Sequence, residues 1–353
     1  MDMQIGAAII VPPEHPVGQA AASTPTATQL SMNRRRFLHA LSLAGLAPLA
    51  TGPVTLPSGG PAPRAPSRLL IDADTANEID DLYAIVRALR APDVDLVGLS
   101  SAQWNHRLSP DDTVQQSQQL NEDLLRLMGR LDIPHPLGAE MIVGKPWGGT
   151  EPRNSPAAQL MIQAARQTPD GETLTIASLG AATNLASAIQ LAPDIVPKIA
   201  CYVLGGRFFA DREVWDKNEF NVRNDLNAAN ILFNTKGLEL HVMPINILFD
   251  FTFRRDAVME RLAGQGGVWD YLAARWLSHS PNSETWIMWD VALIQALLRP
   301  ELATQGRFAT PPENAQRTIH VYTSVDEAAM RADWWSTARA AMEADTPAAG
   351  EER

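Results

Sequence analysis

The chain of 353 residues has one cysteine, Cys201, so it can form no internal disulfide and offers no thiolate zinc site. Its seven histidines are scattered, with no HExxH motif and no His-x-His pair. Any metal would therefore be held by oxygen ligands, which suits a hard cation such as Ca²⁺ or Mg²⁺. Positive charge is also scarce: 29 Lys and Arg stand against 40 Asp and Glu, a formal net charge of −11. An acidic surface repels phosphate backbones, which argues against a nucleic-acid partner. No apolar run is long enough to span a bilayer, so stable membrane insertion is not expected. What remains is ordinary globular usage, 45% hydrophobic and 20% charged. That excludes collagen, coiled coil and disorder as the main state.

The N-terminal part reads as separate from the fold. Residues 1–31 are rich in Ala, Pro, Thr and Gln and have no period, which marks an upstream non-structural segment. Arg34-Arg35-Arg36-Phe37-Leu38, followed by the short apolar run His39–Ala50, resembles a twin-arginine export signal. Residues 32–65 are then signal and linker, and the expected location is periplasmic or secreted. Residues 66–345 are expected to form one domain, with 346–353 a tail.

Within that domain, apolar runs at 68–71, 94–100, 173–179, 198–204, 238–248 and 318–323 read as strands. Helical spacing is seen at 79–89, 113–128, 185–191, 226–234, 268–278, 287–298 and 333–343. The alternation predicts an α/β fold: a mostly parallel central sheet with helices on both faces. Ligands in such folds bind at the carboxyl ends of the strands.

The chemistry is concentrated where the first strand meets the first helix. Asp72, Asp74, Glu78, Asp80 and Asp81 place five carboxylates within ten residues. Two like charges ~5 Å apart repel by ~3 kcal/mol at an effective dielectric near 20. Helix capping explains one or two of these acids. It does not explain Asp72 and Asp74, which leave a buried strand on alternate residues. A divalent cation among them does.

Two families place Asp-x-Asp at such a strand end. Asp72-Ala73-Asp74-Thr75 fits the first motif of the haloacid-dehalogenase-like phosphatases, in which the first Asp is a nucleophile. That group also needs a late Gly-Asp or Asp-Asp motif, and Asp290 stands alone. The segment resembles more closely the inosine-uridine nucleoside hydrolase family, whose Asp-x-Asp is followed by a turn and an Asp-Asp pair, here Asp80-Asp81. The turn Thr75–Ile79 is two residues longer than the commonest form. Four further segments match in order: Asn105 after the second strand, Leu179-Gly180-Ala181-Ala182-Thr183-Asn184, Leu204-Gly205-Gly206, and Glu219-Phe220-Asn221 with Asp225. Trp289-Asp290-Val291-Ala292 closes the series.

The resemblance implies a Rossmann-like nucleoside hydrolase fold and hydrolysis of the N-glycosidic bond of ribonucleosides. It implies Ca²⁺ held by Asp74, Asp81, Asp290 and the carbonyl of Leu179, with Asp72 in support. Asp74 is then the general base on the attacking water. Asp80, Asn105 and Asn221 bind ribose hydroxyls, and Glu219 lies near the 5′ end. A homodimer or homotetramer is also implied. Asn184 reads simply as a helix cap. Trp289 stands where many members have a histidine that protonates the leaving base, with Trp286 close by. Indole stacking favours the larger purine ring, so purine nucleosides and a role in purine salvage are expected. His279 is a second candidate proton donor. A secreted nucleoside- or sugar-binding protein without activity is the other reading.

Overall fold

The computed structural model describes residues 67–345; the expected export signal with its linker and the C-terminal tail lie outside the described residues. From the N-terminus the elements are β1 (Arg68–Ala73), α1 (Asp80–Leu89), β2 (Asp95–Ser101), α2 (Thr113–Leu127), α3 (Pro156–Arg166), β3 (Leu174–Ser178), α4 (Thr183–Leu191) and β4 (Ile199–Leu204). There follow β5 (Arg207–Phe209), β6 (Val214–Asp216), α5 (Phe220–Asn224), α6 (Leu226–Asn234), β7 (Glu239–Met243), β8 (Thr252–Arg254), α7 (Arg255–Leu262) and α8 (Gly267–His279). The chain ends with β9 (Thr285–Ile287), α9 (Trp289–Leu298), β10 (Ala303–Ala309), β11 (Thr318–Val325) and α10 (Glu327–Asp345).

Seven strands form the central sheet in the order β10-β11-β7-β4-β3-β1-β2. All its pairings are parallel except β10 with β11. Alternate residues of β1 feed two cores. Leu69, Ile71 and Ala73 pack with α1, α8, α9 and α10 on one face. Leu70 packs with α3, α4 and α6 on the other. Burial on both faces is why these strands read as continuous apolar runs. β1 pairs with β2 on one side and β3 on the other, so the strand order reverses beside β1. That reversal opens a crevice at the carboxyl ends of β1 and β3.

The expected elements are present with adjusted limits. The strand expected over 238–248 ends at Met243, because Pro244 has no N–H to donate, and Ile245–Ile247 form a 3₁₀ turn. The helix expected from 287 begins at Trp289, and Ile287 belongs to β9, which pairs with β8. The last helix starts at Glu327, six residues before the expected start. Elements not read from the sequence are α3, α5, α7, β10 and the two small hairpins. For α3 a signal was present: Ser155 caps the helix by accepting from the Ala158 N–H, and Pro156 opens it. No helix among the described residues is long and apolar enough to cross a membrane.

Candidate active site

β1 carries Asp72 into the interior, where its side chain is fully buried. Ser100 Oγ donates to Asp72 Oδ1 at 2.6 Å, and Asn184 Nδ2 reaches its two oxygens at 3.0 and 3.3 Å. Burial nonetheless raises this carboxyl to about 6. Asn184 is therefore not a helix cap. Its amide also donates to the Ser101 carbonyl and accepts from the Ala139 N–H and Ser155 Oγ. One side chain thus ties β1, β2, α3 and the loop before α3 to the start of α4.

Asp74 follows two residues later, at the strand end. Gly180 closes against it so tightly that an added Cβ would lie 2.7 Å from Asp74 Cγ. The long turn after Asp74 is anchored on α2: Thr75 Oγ1 donates to Asn121 Oδ1 at 2.6 Å and the Ala76 N–H donates to Ser117 Oγ at 3.2 Å. The turn then delivers Asp80 and Asp81 as the first two residues of α1. From the far end of the domain, α9 brings Asp290 to the same place in its own first turn. Asp290 does not cap α9. Its N–H donates to Asp80 Oδ2 at 3.0 Å, so a carboxylate on α1 receives the N-terminus of α9.

Two helix N-termini therefore meet around acids. One ligand oxygen from each of Asp80, Asp81 and Asp290 lies within 4.8 Å of the others. The sequence reading put Asp80 on ribose; the geometry sets it inside this triplet, with Asp74 beside it on the same cavity. One oxygen of each acid, Asp74 Oδ2, Asp80 Oδ1, Asp81 Oδ1 and Asp290 Oδ1, is buried without a hydrogen-bond partner. Burial first, then the neighbouring carboxylates, drive Asp74, Asp81 and Asp290 well above the usual carboxylate range. Asp80 rises to about 6 and Glu78 to about 8, again chiefly through burial. Orphaned buried oxygens and an all-oxygen donor set fit a hard divalent cation.

The cavity, about 260 Å³, opens at the carboxyl ends of β1, β3 and β4. Both layers contribute to its walls. Trp289 comes from the α9 side and stands edge-on to Phe249 at 5.6 Å. Glu219 and Asn221 come from α5. Glu219 is buried, and both its oxygens are engaged by backbone: Oε1 accepts from the Asn221 N–H, and Oε2 from Gly206 and Val222. It caps α5 and holds the Gly205-Gly206 turn. Asn221 Nδ2 donates to the carbonyls of Leu179 and Leu204 at 2.5 and 3.3 Å, and Leu179 lines the acidic cavity.

Asn105 departs from expectation. It is exposed, donates its N–H to Asn224 Oδ1, and lines an adjacent cavity rather than the acidic one. The loop after β2 swings away once Ala102 has bonded back to β1, and carries Asn105 outward. His279 does not line the acidic cavity either; it packs edge-on against Trp286 at 5.4 Å. Trp286 in turn donates to Glu78 Oε2 at 3.2 Å. Glu78, counted in the acidic run but given no role of its own, lines the cavity too, and so do Asn77, Arg207, Asn218 and Arg223, which were not singled out from the sequence. Their types are common on surfaces, and only the chain path shows that they converge.

Comparison with known proteins agrees with this geometry. The family model for inosine-uridine preferring nucleoside hydrolases matches residues 69–349. A probable uridine nucleosidase of rice is 29% identical over 268 residues, covering 67% of this chain and 78% of its own length. The pyrimidine-specific ribonucleoside hydrolase RihB of Escherichia coli is 26% identical over 215 residues, 57% of this chain and 67% of its own. Among solved structures, a plant nucleoside hydrolase superposes with a TM-score of 0.61 at 23% identity, covering 77% of this chain and 98% of its own, a likeness of fold. With the acid-rich crevice, two converging helix N-termini and a family match along nearly all of the described domain, the chain belongs to the inosine-uridine preferring nucleoside hydrolase family and is an N-glycosyl hydrolase.

Proposed function

We propose that the protein hydrolyses ribonucleosides to ribose and free base, using a Ca²⁺ ion held by Asp74, Asp81, Asp290 and the Leu179 carbonyl, with Asp80 against the same ion. The observation that carries this reading is the set of four buried carboxylate oxygens without partners at one strand-end crevice. When bound, the ion supplies Lewis acidity toward hydroxyl and water oxygens. Asp74 offers its free Oδ2 as the base that takes a proton from the attacking water. Asp72, locked by Ser100 and Asn184, fixes the strand end that aims Asp74. Asp80 and Asn221 hold ribose hydroxyls, and Glu219 fixes α5 so that Asn221 faces the cavity. The clustered negative charge stabilises an oxocarbenium-like C1′ as the base departs. Asn105, on the neighbouring cavity, has no part in this scheme.

Trp289 is the surface available to the base; an aromatic pair there is worth ~0.5–1.5 kcal/mol, and the larger purine face is favoured. The uridine and pyrimidine preferences in the relatives' names favour the opposite order, so both substrates belong in the test. The family match sets aside the phosphatase alternative. A reducing-sugar assay on inosine and uridine, with calcium and with chelator, tests activity, base preference and metal together. Calcium-dependent release of ribose is expected, faster with inosine; binding without turnover would instead establish a nucleoside-binding protein. The same reading includes twin-arginine export and assembly as a homodimer or homotetramer. Replacing Arg34 and Arg35 with Lys is expected to retain the chain in the cytoplasm of its host, and light scattering of the purified protein reads the assembly.

A further inference from the structure

The acidic cavity has a basic corner. Arg207, at the start of β5, and Arg223, in α5, both line it. Their guanidinium groups converge on one residue: Arg207 donates to the Asn218 carbonyl at 2.8 Å, and Arg223 donates to Asn218 Oδ1 at 3.3 Å. Arg207 is paired with Asp216 at 3.0 Å. Arg223 has no carboxylate within ion-pair distance among the described residues. Arg223 is exposed, and beyond its bond to Asn218 its N–H groups are open to an entering anion. The acids that flank it are spent elsewhere: Glu219 accepts from three backbone N–H groups, and Asp225 from the Val143 and Ala228 N–H groups and Thr183 Oγ1. Arg223 also lines the adjacent cavity of about 380 Å³, together with Asn105 and Asn224, so the corner has room beyond it.

We propose that Arg223 and Arg207 form a subsite for a phosphate on the 5′ carbon of the riboside, so that the substrate is a nucleoside 5′-phosphate. The inference rests on the reading above, in which the carboxylates and their cation take the 2′,3′-diol and Trp289 takes the base. The end of a riboside left over is C5′. The walls agree with this assignment. Trp289 packs with the α9 layer, whereas Phe208 of β5 and Val222 of α5 pack with the layer on the opposite face of the sheet. Base and phosphate thus meet elements from different sides of the crevice. A guanidinium, with several N–H donors in one plane, suits a phosphate better than an ammonium would. The reaction balances as ordinary hydrolysis: the water oxygen bonds C1′, its proton passes to Asp74, and the base leaves with the bonding pair and takes a proton from solvent. The products are ribose 5-phosphate and free base.

The experiment compares inosine with inosine 5′-phosphate on the full chain in calcium, for the wild type, Arg223→Ala, Arg223→Lys and Arg212→Ala. Arg212 lies outside the cavity, paired with Asp211 and stacked on Phe209, and reports general charge effects. The wild type is expected to favour the phosphate by at least ~10-fold in kcat/KM, which is ~1.4 kcal/mol. Arg223→Ala removes that ratio, Arg223→Lys keeps part of it, and Arg212→Ala keeps all of it. A wild type that ignores or rejects the phosphate, or an Arg223→Ala variant with an unchanged ratio, overturns the subsite. Calorimetry with ribose 5-phosphate and ribose supplies a readout without turnover. Tighter binding of the phosphate, lost in Arg223→Ala, supports the subsite even if neither nucleoside is cleaved, in which case the hydrolase reading alone fails. Equal binding of the two sugars overturns the subsite even if inosine is cleaved.

Discussion

At Gly180 the absence of a side chain is what leaves room for Asp74. An added methyl would sit 2.7 Å from the Asp74 carboxyl carbon, closer than such contacts occur, so Asp74 must move. Displacement of a reacting group by ~1 Å lowers rates by ~100-fold. Gly180→Ala is therefore expected to reduce kcat by about two orders of magnitude with an unchanged far-UV circular dichroism spectrum. A full rate in that variant would show that Asp74 is not the base. Asp81 gives a prediction with two opposite signs. In the metal-free protein burial penalises its charge, and repulsion from Asp74 and Asp80 adds to the penalty. Asp81→Asn removes that repulsion, so the melting temperature in chelator is expected to rise. The increment produced by calcium is expected to vanish, and activity with it. Thermal unfolding in chelator and in calcium reads both, and a variant that keeps the calcium increment would remove Asp81 from the ligand set.

At the scale of elements, α10 pins the two helices that carry the acids. Asp333 in its second turn receives Arg87 of α1 at 2.8 Å and Arg299, just after α9, at 2.6 Å, and Gln295 of α9 donates to it as well. Arg87 is buried, so removing its partner leaves an uncompensated charge. Asp333→Ala is expected to destabilise by ~3 kcal/mol in urea titrations, far more than loss of an exposed pair. The sequence pattern placed a helix over 333–343 but not its first turns, because Glu327–Ala332 show little apolar spacing and are held by what they touch. The same reason limited the reading elsewhere. β1, α1 and Asp72 to Asp81 were legible because a buried strand and a dense acidic run leave local marks. Asn184 was legible as a residue but not in its role, since its five hydrogen bonds go to four residues from four distant segments. The small helix α5 depends on Glu219 for its first turn. Glu219→Ala is expected to weaken it by ~1–2 kcal/mol, seen as faster amide exchange over 220–224 and a larger rise in KM than fall in kcat.

For the whole molecule, the acids set a pH dependence whose sign reverses with the cation. Without metal the folded protein holds protons on Asp72 and Asp80 up to about 6 and on Glu78 up to about 8. The unfolded chain releases them near pH ~4. Protons therefore favour the folded state, and this contribution is full at about pH 4 and lost as pH rises through 6 to 8. Melting temperature in chelator is expected to fall between about pH 5 and pH 8. In calcium the protons compete with the ion, so the increment due to calcium is expected to grow over the same interval. Parallel curves with and without calcium would contradict a shared carboxylate site.

The bond from the Asp290 N–H to Asp80 joins positions 210 residues apart, one in the first helix of the domain and one in the second-last. During synthesis the five acids from Asp72 to Asp81 leave the ribosome long before Asp290 is made. Until then they are an open row of like charges with nothing to close them. A truncated chain ending before α9 keeps every early motif and lacks the closure. Assembly of the centre thus requires that the whole domain has been made and folded.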